Sequence, residues 1–360
     1  MQKEIFSPYR ICPLGAHVDH QGGAVLGGTI HIGTTLAYRP SDNQRVSIAS
    51  GQFGETEFSI EDEVDQTHWA RYAQAAAHVL SGRLKRGIQA HVSGSLIGAG
   101  LSSSASVSLA YLKALADAND IELSNKQLVQ LEYQLEHDVL GLQIGLLDPL
   151  TIVYGKRNAL LFMDMITASV TPIFNSPSND SAWIVAYSGV SRELTKSGFN
   201  ARVLECRAAA SMLKDGAERL SDVPRELCEE RKMALPEHLR RRAEHFYGEV
   251  ERVRRGARAW EDSDMELFGK LMNQSCESSI RLYESGSDIL IQLHEIASQA
   301  RGVYGSRFSG GGYGGCVVAL AKRDQAEDAA VEIQDRCSAH HPELPSAVHI
   351  VETSDGLCSR

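Results

Sequence analysis

The run Gly98-Ala99-Gly100-Leu101-Ser102-Ser103-Ser104-Ala105 sets three consecutive hydroxyls directly after a glycine-opened loop. Glycine lets a backbone turn tightly enough for its N–H groups to line a concavity the size of a phosphate oxyanion. Residues 105–112 read as a helix, so its N-terminal dipole and its unpaired N–H groups would point at the same spot. An ordinary serine cap needs one hydroxyl rather than three. No Gly-Lys-Ser/Thr follows, so this is not a Walker loop, and a third glycine at dinucleotide-fingerprint spacing is missing. A nucleotide kinase with a different phosphate cradle fits the residues better.

Three further segments carry polar groups of chemical interest. Tyr9-Arg10-Ile11-Cys12-Pro13-Leu14-Gly15-Ala16-His17-Val18-Asp19-His20-Gln21-Gly22-Gly23 sets an arginine among apolar neighbours, then a polar turn closed by two glycines. His17 and Asp19 read there as turn residues or as ligands, and Arg10 as a ligand or as a structural ion-pair partner. Arg307-Phe308-Ser309-Gly310-Gly311-Gly312-Tyr313-Gly314-Gly315 has five glycines in its last six residues, ahead of an apolar run. It is a mobile turn before a strand, or a loop that lets backbone approach something closely. Asp148, wedged between Leu147 and Pro149, is a poor surface residue but a good positioned base.

Taken together in this order and spacing, the segments resemble the three signature motifs of the GHMP kinases, the family of galactokinase, homoserine kinase, mevalonate kinase and phosphomevalonate kinase. The resemblance covers nearly all 360 residues. The N-terminal segment is similar to the galactokinase signature Gly-Arg-Val-Asn-Leu-Ile-Gly-Glu-His-Thr-Asp-Tyr, and more narrowly to the plant-type galacturonokinases. The resemblance implies an α+β chain of two domains, 1–176 like ribosomal protein S5 domain 2 and 177–360 ferredoxin-like, with the site between them.

It also implies the roles. Asp148 would take the proton of the anomeric hydroxyl, and Arg10 would keep Asp148 ionised and neutralise the transferring phosphoryl group. Gly98, Ala99, Gly100, Leu101, Ser102, Ser103, Ser104 and Ala105 would bind ATP, with Trp69 beside the adenine; Trp69 and Tyr72 read equally as a helix-packing pair. Glu136, twelve residues before Asp148 as in galactokinases, would hold Mg²⁺ with Ser104. His17, Asp19, Gly311 and Gly312 would contact the sugar. Pro149 replaces the family's glutamine and leaves the local turn open.

Two departures bear on the acceptor. Ala16 stands where galactokinases carry a glutamate that holds the sugar C6 group. A carboxylate about 4 Å from a uronic acid would cost roughly 4 kcal/mol at an effective dielectric of about 20, or about three orders of magnitude in binding. Alanine removes that repulsion. Ser188-Gly189-Val190-Ser191-Arg192 aligns with a galactokinase Ser-Asn-Val-Arg-His, which puts Phe199 in place of a sugar-contacting tyrosine. Arg192 and Lys196 are the nearby cations for a uronate, or else solvated loop charges. The implied reaction is phosphorylation of D-galacturonate at its anomeric hydroxyl, with ATP as co-substrate. Neutral-sugar kinases and a turnover-free sensor are the alternatives.

Composition agrees with a globular enzyme of two domains or three. Net charge is −10, from 36 basic and 46 acidic residues, which argues against a nucleic-acid surface. Arg240-Arg241-Arg242 with Arg252, Arg254, Arg255 and Arg258 alternates with glutamates and reads as a solvated helix face. Seven scattered cysteines suit reduced thiols in a cytoplasm. No signal region and no run of about 18 apolar residues is present, so the expected partners are a sugar acid and ATP, not a membrane, in a monomer or weak dimer. Strands are expected at 24–35, 36–38, 46–48, 88–92, 151–154, 159–164, 183–188, 317–320 and 347–351. A helix is expected at 127–138, a loop at 172–180, and helices through 201–298 broken near Pro224 and Pro236.

Overall fold

The computed structural model describes residues 2–142, 144–176, 178–191 and 197–360. The chain opens with β1 (Lys3–Leu14), β2 (Val25–Pro40), β3 (Arg45–Ser50), β4 (Gly54–Ser59), α1 (Arg71–Val79), β5 (Ile88–Gly94), α2 (Ser103–Ala118), α3 (Asn125–Tyr133), α4 (Leu147–Tyr154), β6 (Ala159–Asp164) and β7 (Ser169–Phe174). It continues through β8 (Ser181–Tyr187), α5 (Ser197–Leu213), α6 (Arg225–Arg231), α7 (Glu237–Glu261), α8 (Met265–Arg281), α9 (Asp288–Gln299), β9 (Val303–Phe308), β10 (Cys316–Lys322), α10 (Ala326–His340), β11 (Ala347–Val351) and β12 (Cys358–Ser359).

The strands form two sheets. One runs β12-β1-β2-β5-β3-β4, with β6 pairing β2 and β7 pairing β6; the other runs β11-β8-β10-β9. Strand β1 is buried from Ile5 onward on both faces, as a strand between two covering layers must be, whereas β5 alternates buried and exposed residues. Helix α2 lays Leu109, Leu112 and Leu115 into the core of the first sheet. Trp183 of β8 stacks on Trp260 of α7 at 5.7 Å, with the edge of Trp183 against Phe268 of α8, and ties the second sheet to its helices. Strand pairing passes to the second sheet between Phe174 and Ser181, and β12 returns to pair with β1.

Several expectations from the sequence are corrected. Residues 151–154 belong to α4 and not to a strand. Periodicity cannot separate a short buried helix from a buried strand, and Pro149 fits the first helical turn, where its missing N–H has no partner to lose. Pro172 lies within β7, not in a loop; it is tolerated because β7 pairs on one side only. The single helix expected at 127–138 is α3 followed by a π-helical turn over Gln134–Val139. Arg242 is fully buried, not solvated: it turns inward from α7 to Glu205 and Glu284, while Arg254, Arg255 and Arg258 stay exposed. Breaks at Pro224 and Pro236 are helix starts, and β11 spans the expected residues.

Candidate active site

The phosphate-type loop joins β5 to α2. Ser102 has φ 62° and makes no side-chain cap bond to the helix, while the Ser103 hydroxyl accepts the Gly98 N–H at 3.2 Å and closes the loop on itself. Ala99 and Leu101 are fully buried, so their side chains fasten the loop from behind. Across from it lies the loop between β9 and β10, which holds Gly311 and Gly312. Gly315 there has φ +97°, and a Cβ on it would sit 2.6 Å from the Ala99 carbonyl. Only glycine allows that conformation and that approach together. The two glycine loops are thus in main-chain contact.

Arg10 of β1 stands where they meet. Its Nε donates to Asp148 Oδ1 at 2.8 Å, and its Nη1 donates to the carbonyls of Gly100 at 2.8 Å and Ser309 at 3.2 Å. Burial disfavours the guanidinium charge, but Asp148 outweighs it. Asp148 sits in the first turn of α4, partly open at 19% side-chain exposure. Asp19 lies near it, and burial, then the Asp148 charge, push its carboxyl up to about 6.

The π-helical turn buries Glu136 one helical step from Glu132. Burial first, then the charges of Glu136 and Asp148, raise the Glu132 carboxyl well above the ordinary range. Such crowding of hard oxygen donors suits a divalent cation of the Mg²⁺ type. Among the described residues no group of three or more His, Cys, Asp or Glu side chains forms a complete metal cage, so an ion held by Glu136 and Ser104 would have to share its ligands with phosphates or water.

The turn at residues 15–19 lies beside these groups, with Asp19 near Asp148. Gly15 has φ +97° and His17 has φ 62°. The His17 ring stacks on Tyr283 at 4.2 Å and 10°, and its Nε2 lies 3.1 Å from Ser285 Oγ. Buried Ala16 has its carbonyl 3.0 Å from His245 Nε2, and the Gly15 N–H donates to Glu249 Oε1 at 2.7 Å. His20 meets the Tyr283 hydroxyl at 3.0 Å; burial, then Arg207, lower its pKa to about 3, so it is neutral at pH 7.

The structure therefore brings Arg10, Asp148, Asp19, the Gly98–Ala105 segment and the Gly310–Gly315 loop close together, with Ala16 and His17 buried in the adjoining turn. Trp69 lies just ahead of α1 and stacks on Phe53 at 5.7 Å, while Tyr72, within α1, receives Arg71 over its ring; both pack, partly buried, against the core of the first sheet. Arg192 and Lys196 lie outside the described residues, as does the side chain of Phe199. Sequence reasoning missed Tyr283, Ser285, His245 and Glu249. They sit on or beside long helical segments where no motif spacing marks them, and only packing delivers them to the turn.

Comparison with known proteins gives the family of the chain. Residues 71–156 match the model of the GHMP kinases N-terminal domain, and residues 254–339 that of the GHMP kinases C-terminal domain. The galacturonokinase of Arabidopsis thaliana is 37% identical over 94% of this chain and 88% of its own length. A galactokinase of Limosilactobacillus fermentum is 32% identical over 91% of this chain and 87% of its own. Among solved structures, Lactococcus lactis galactokinase complexed with galactose superposes with a TM-score of 0.91 at 26% identity, covering 99% of this chain and 95% of that one. The chain has the two-domain fold of the GHMP kinases and belongs to the GHMP kinase family.

Proposed function

We propose that this enzyme transfers the γ-phosphoryl group of ATP to the anomeric hydroxyl of D-galacturonate, giving galacturonate 1-phosphate and ADP. The observation that carries the reading is the Arg10–Asp148 pair, set where the two glycine loops meet the turn at residues 15–19. Asp148 accepts the proton as the anomeric oxygen attacks in line; the new O–P bond forms as the bond to the ADP oxygen breaks. Arg10 holds Asp148 in place and offsets charge on the phosphoryl oxygens. The main-chain N–H groups of residues 98–105 and the hydroxyls of Ser103 and Ser104 cradle the phosphates. Mg²⁺, when bound through Glu136 and Ser104, supplies further charge neutralisation. Asp19 and His17 orient the sugar, Gly311 and Gly312 border it, and Trp69 lies toward the adenine. We place the domain boundary at residues 176/177, in the connection from β7 to β8.

The choice of acceptor rests on Ala16, which presents no carboxylate to a C6 carboxylate, and is supported by likeness to a galacturonokinase. The galactokinase relatives support galactose as a second reading. ADP release with Mg²⁺-ATP, measured against galacturonate, galactose, glucuronate, glucose and no sugar, separates them. Galacturonate is expected to give the fastest release, and Ala16→Glu to depress galacturonate turnover far more than galactose turnover. A wild-type preference for galactose would replace the acceptor and leave the kinase chemistry standing.

A further inference from the structure

Three consecutive residues of the cleft wall are held from behind by groups that make no part of the phosphate-transfer machinery. The Gly15 N–H donates to Glu249, the Ala16 carbonyl meets His245, and the His17 ring lies flat on Tyr283. His245 and Glu249 are one helical turn apart on α7, so one helix face reaches the 14–15 and the 16–17 peptide groups of the turn. A carbonyl only accepts, so His245 Nε2 carries the proton and Nδ1 accepts from the Ser278 hydroxyl at 2.8 Å. The ring stays neutral: burial first lowers its pKa to about 4.

Glu249 is fully buried yet ionised. Burial opposes its charge, but Arg252 at 2.7 Å and Arg307 at 3.6 Å outweigh that and bring its carboxyl down to about 2; Ser275 donates a further hydrogen bond. For stability alone, replacing this whole buried charge cluster by apolar groups of similar volume would serve as well or better. What the carboxylate adds is a strong, directed acceptor for one main-chain N–H. That N–H belongs to the first residue of a turn in which His17, not a glycine, is left-handed at φ 62°. Such a conformation persists only where its surroundings over-determine it.

We infer that His245 and Glu249 are positioning residues that fix the backbone of residues 15–17, and with it the direction of the residue-16 side chain and the seat of the sugar. The inference rests on the reading of this turn as the sugar side of the cleft. It does not depend on which sugar is used, so the test is run with whichever acceptor the wild type phosphorylates.

Initial rates are measured with sugar and ATP varied separately, alongside thermal melts, for His245→Phe, His245→Gln and Ser278→Ala. Losing the bond to the Ala16 carbonyl in His245→Phe is expected to raise the sugar KM about tenfold, while the ATP KM moves less than about twofold. His245→Gln, whose amide N–H can reach the same carbonyl, is expected to recover most of the loss. Ser278→Ala frees the ring and is expected to raise the sugar KM by about threefold; it keeps the inference testable should His245→Phe not fold. An unchanged sugar KM in these variants, equal rises in both KM values, or no recovery with glutamine would overturn the inference. A wild type that prefers galactose would overturn only the proposed acceptor.

Discussion

In the proposed reading, residues 98–105 and 310–315 meet their ligand mainly through backbone and hydroxyl groups, whereas residues 15–19 offer side chains and a backbone held by a helix 229 residues further along the chain. The first region contains no charged residue: glycine conformations, a helix terminus and close loop contact do its work. The second brings together Asp19, His17, His20, His245 and Glu249, with burial and neighbouring charges setting the protonation of most of them. A phosphate is the same in every kinase of this kind, so a backbone cradle serves them all. A sugar must be told from its isomers, and that takes side chains whose direction is controlled by what lies behind them. Arg10 belongs to both regions, with a carbonyl of each glycine loop on one side and Asp148 on the other.

The sharpest way to test this division is to break the group between the two regions. Asp148→Asn keeps the shape and removes the base. Turnover is expected to fall by about two to four orders of magnitude, with both KM values nearly unchanged and the melting temperature retained, as read by steady-state kinetics and thermal melts. Turnover within a few-fold of wild type would mean that another group takes the proton.

Gly315→Ala attacks the backbone region alone. Its Cβ would lie 2.6 Å from the Ala99 carbonyl at a φ only glycine tolerates, so the two loops must part. The ATP KM is expected to rise by about an order of magnitude or more, with a smaller loss of sugar affinity, followed by calorimetry, because Gly311 and Gly312 of the same loop border the sugar. Equal damage to both ligands would show that the two regions are not separable.

The smallest effect concerns stability in the side-chain region. Asp19 has its carboxyl raised from 3.8 to about 6 in the folded protein. The neutral form therefore favours folding below about pH 4, and that advantage is lost as pH rises through 6. At pH 8 the ionised group costs stability beside Asp148. Asp19→Asn is expected to weaken sugar binding yet raise the melting temperature by a few degrees at pH 8, with the gain shrinking toward pH 4. A constant difference across that range would mean that its ionisation is not what strains the fold.

Much of this was legible in the chain. The Ser102–Ser104 run, the Gly310–Gly315 cluster and the Arg10 segment announce themselves because each is a local device whose chemistry lies in consecutive residues. The helices after Pro224 and Pro236 follow from one strong signal each. Residues 151–154 were misread because a short apolar stretch next to a proline fits two conformations, and the choice belongs to the core around it. Arg242 was misread for the reverse reason: its glutamate partners lie on α5 and at Glu284, so its spacing on α7 looks like that of its exposed neighbours.

The sequence by itself determined the two glycine loops and the serine run, the order of the motifs and the absence of a carboxylate at residue 16, because these are properties of residue type and local spacing. Only the tertiary structure decided that Arg10 joins both glycine loops to Asp148, that burial, with Asp148 nearby, raises the Asp19 carboxyl, and that His245 and Glu249 stand behind Gly15 and Ala16. Each of those depends on burial and on distances between segments far apart in the chain, and no local pattern encodes either.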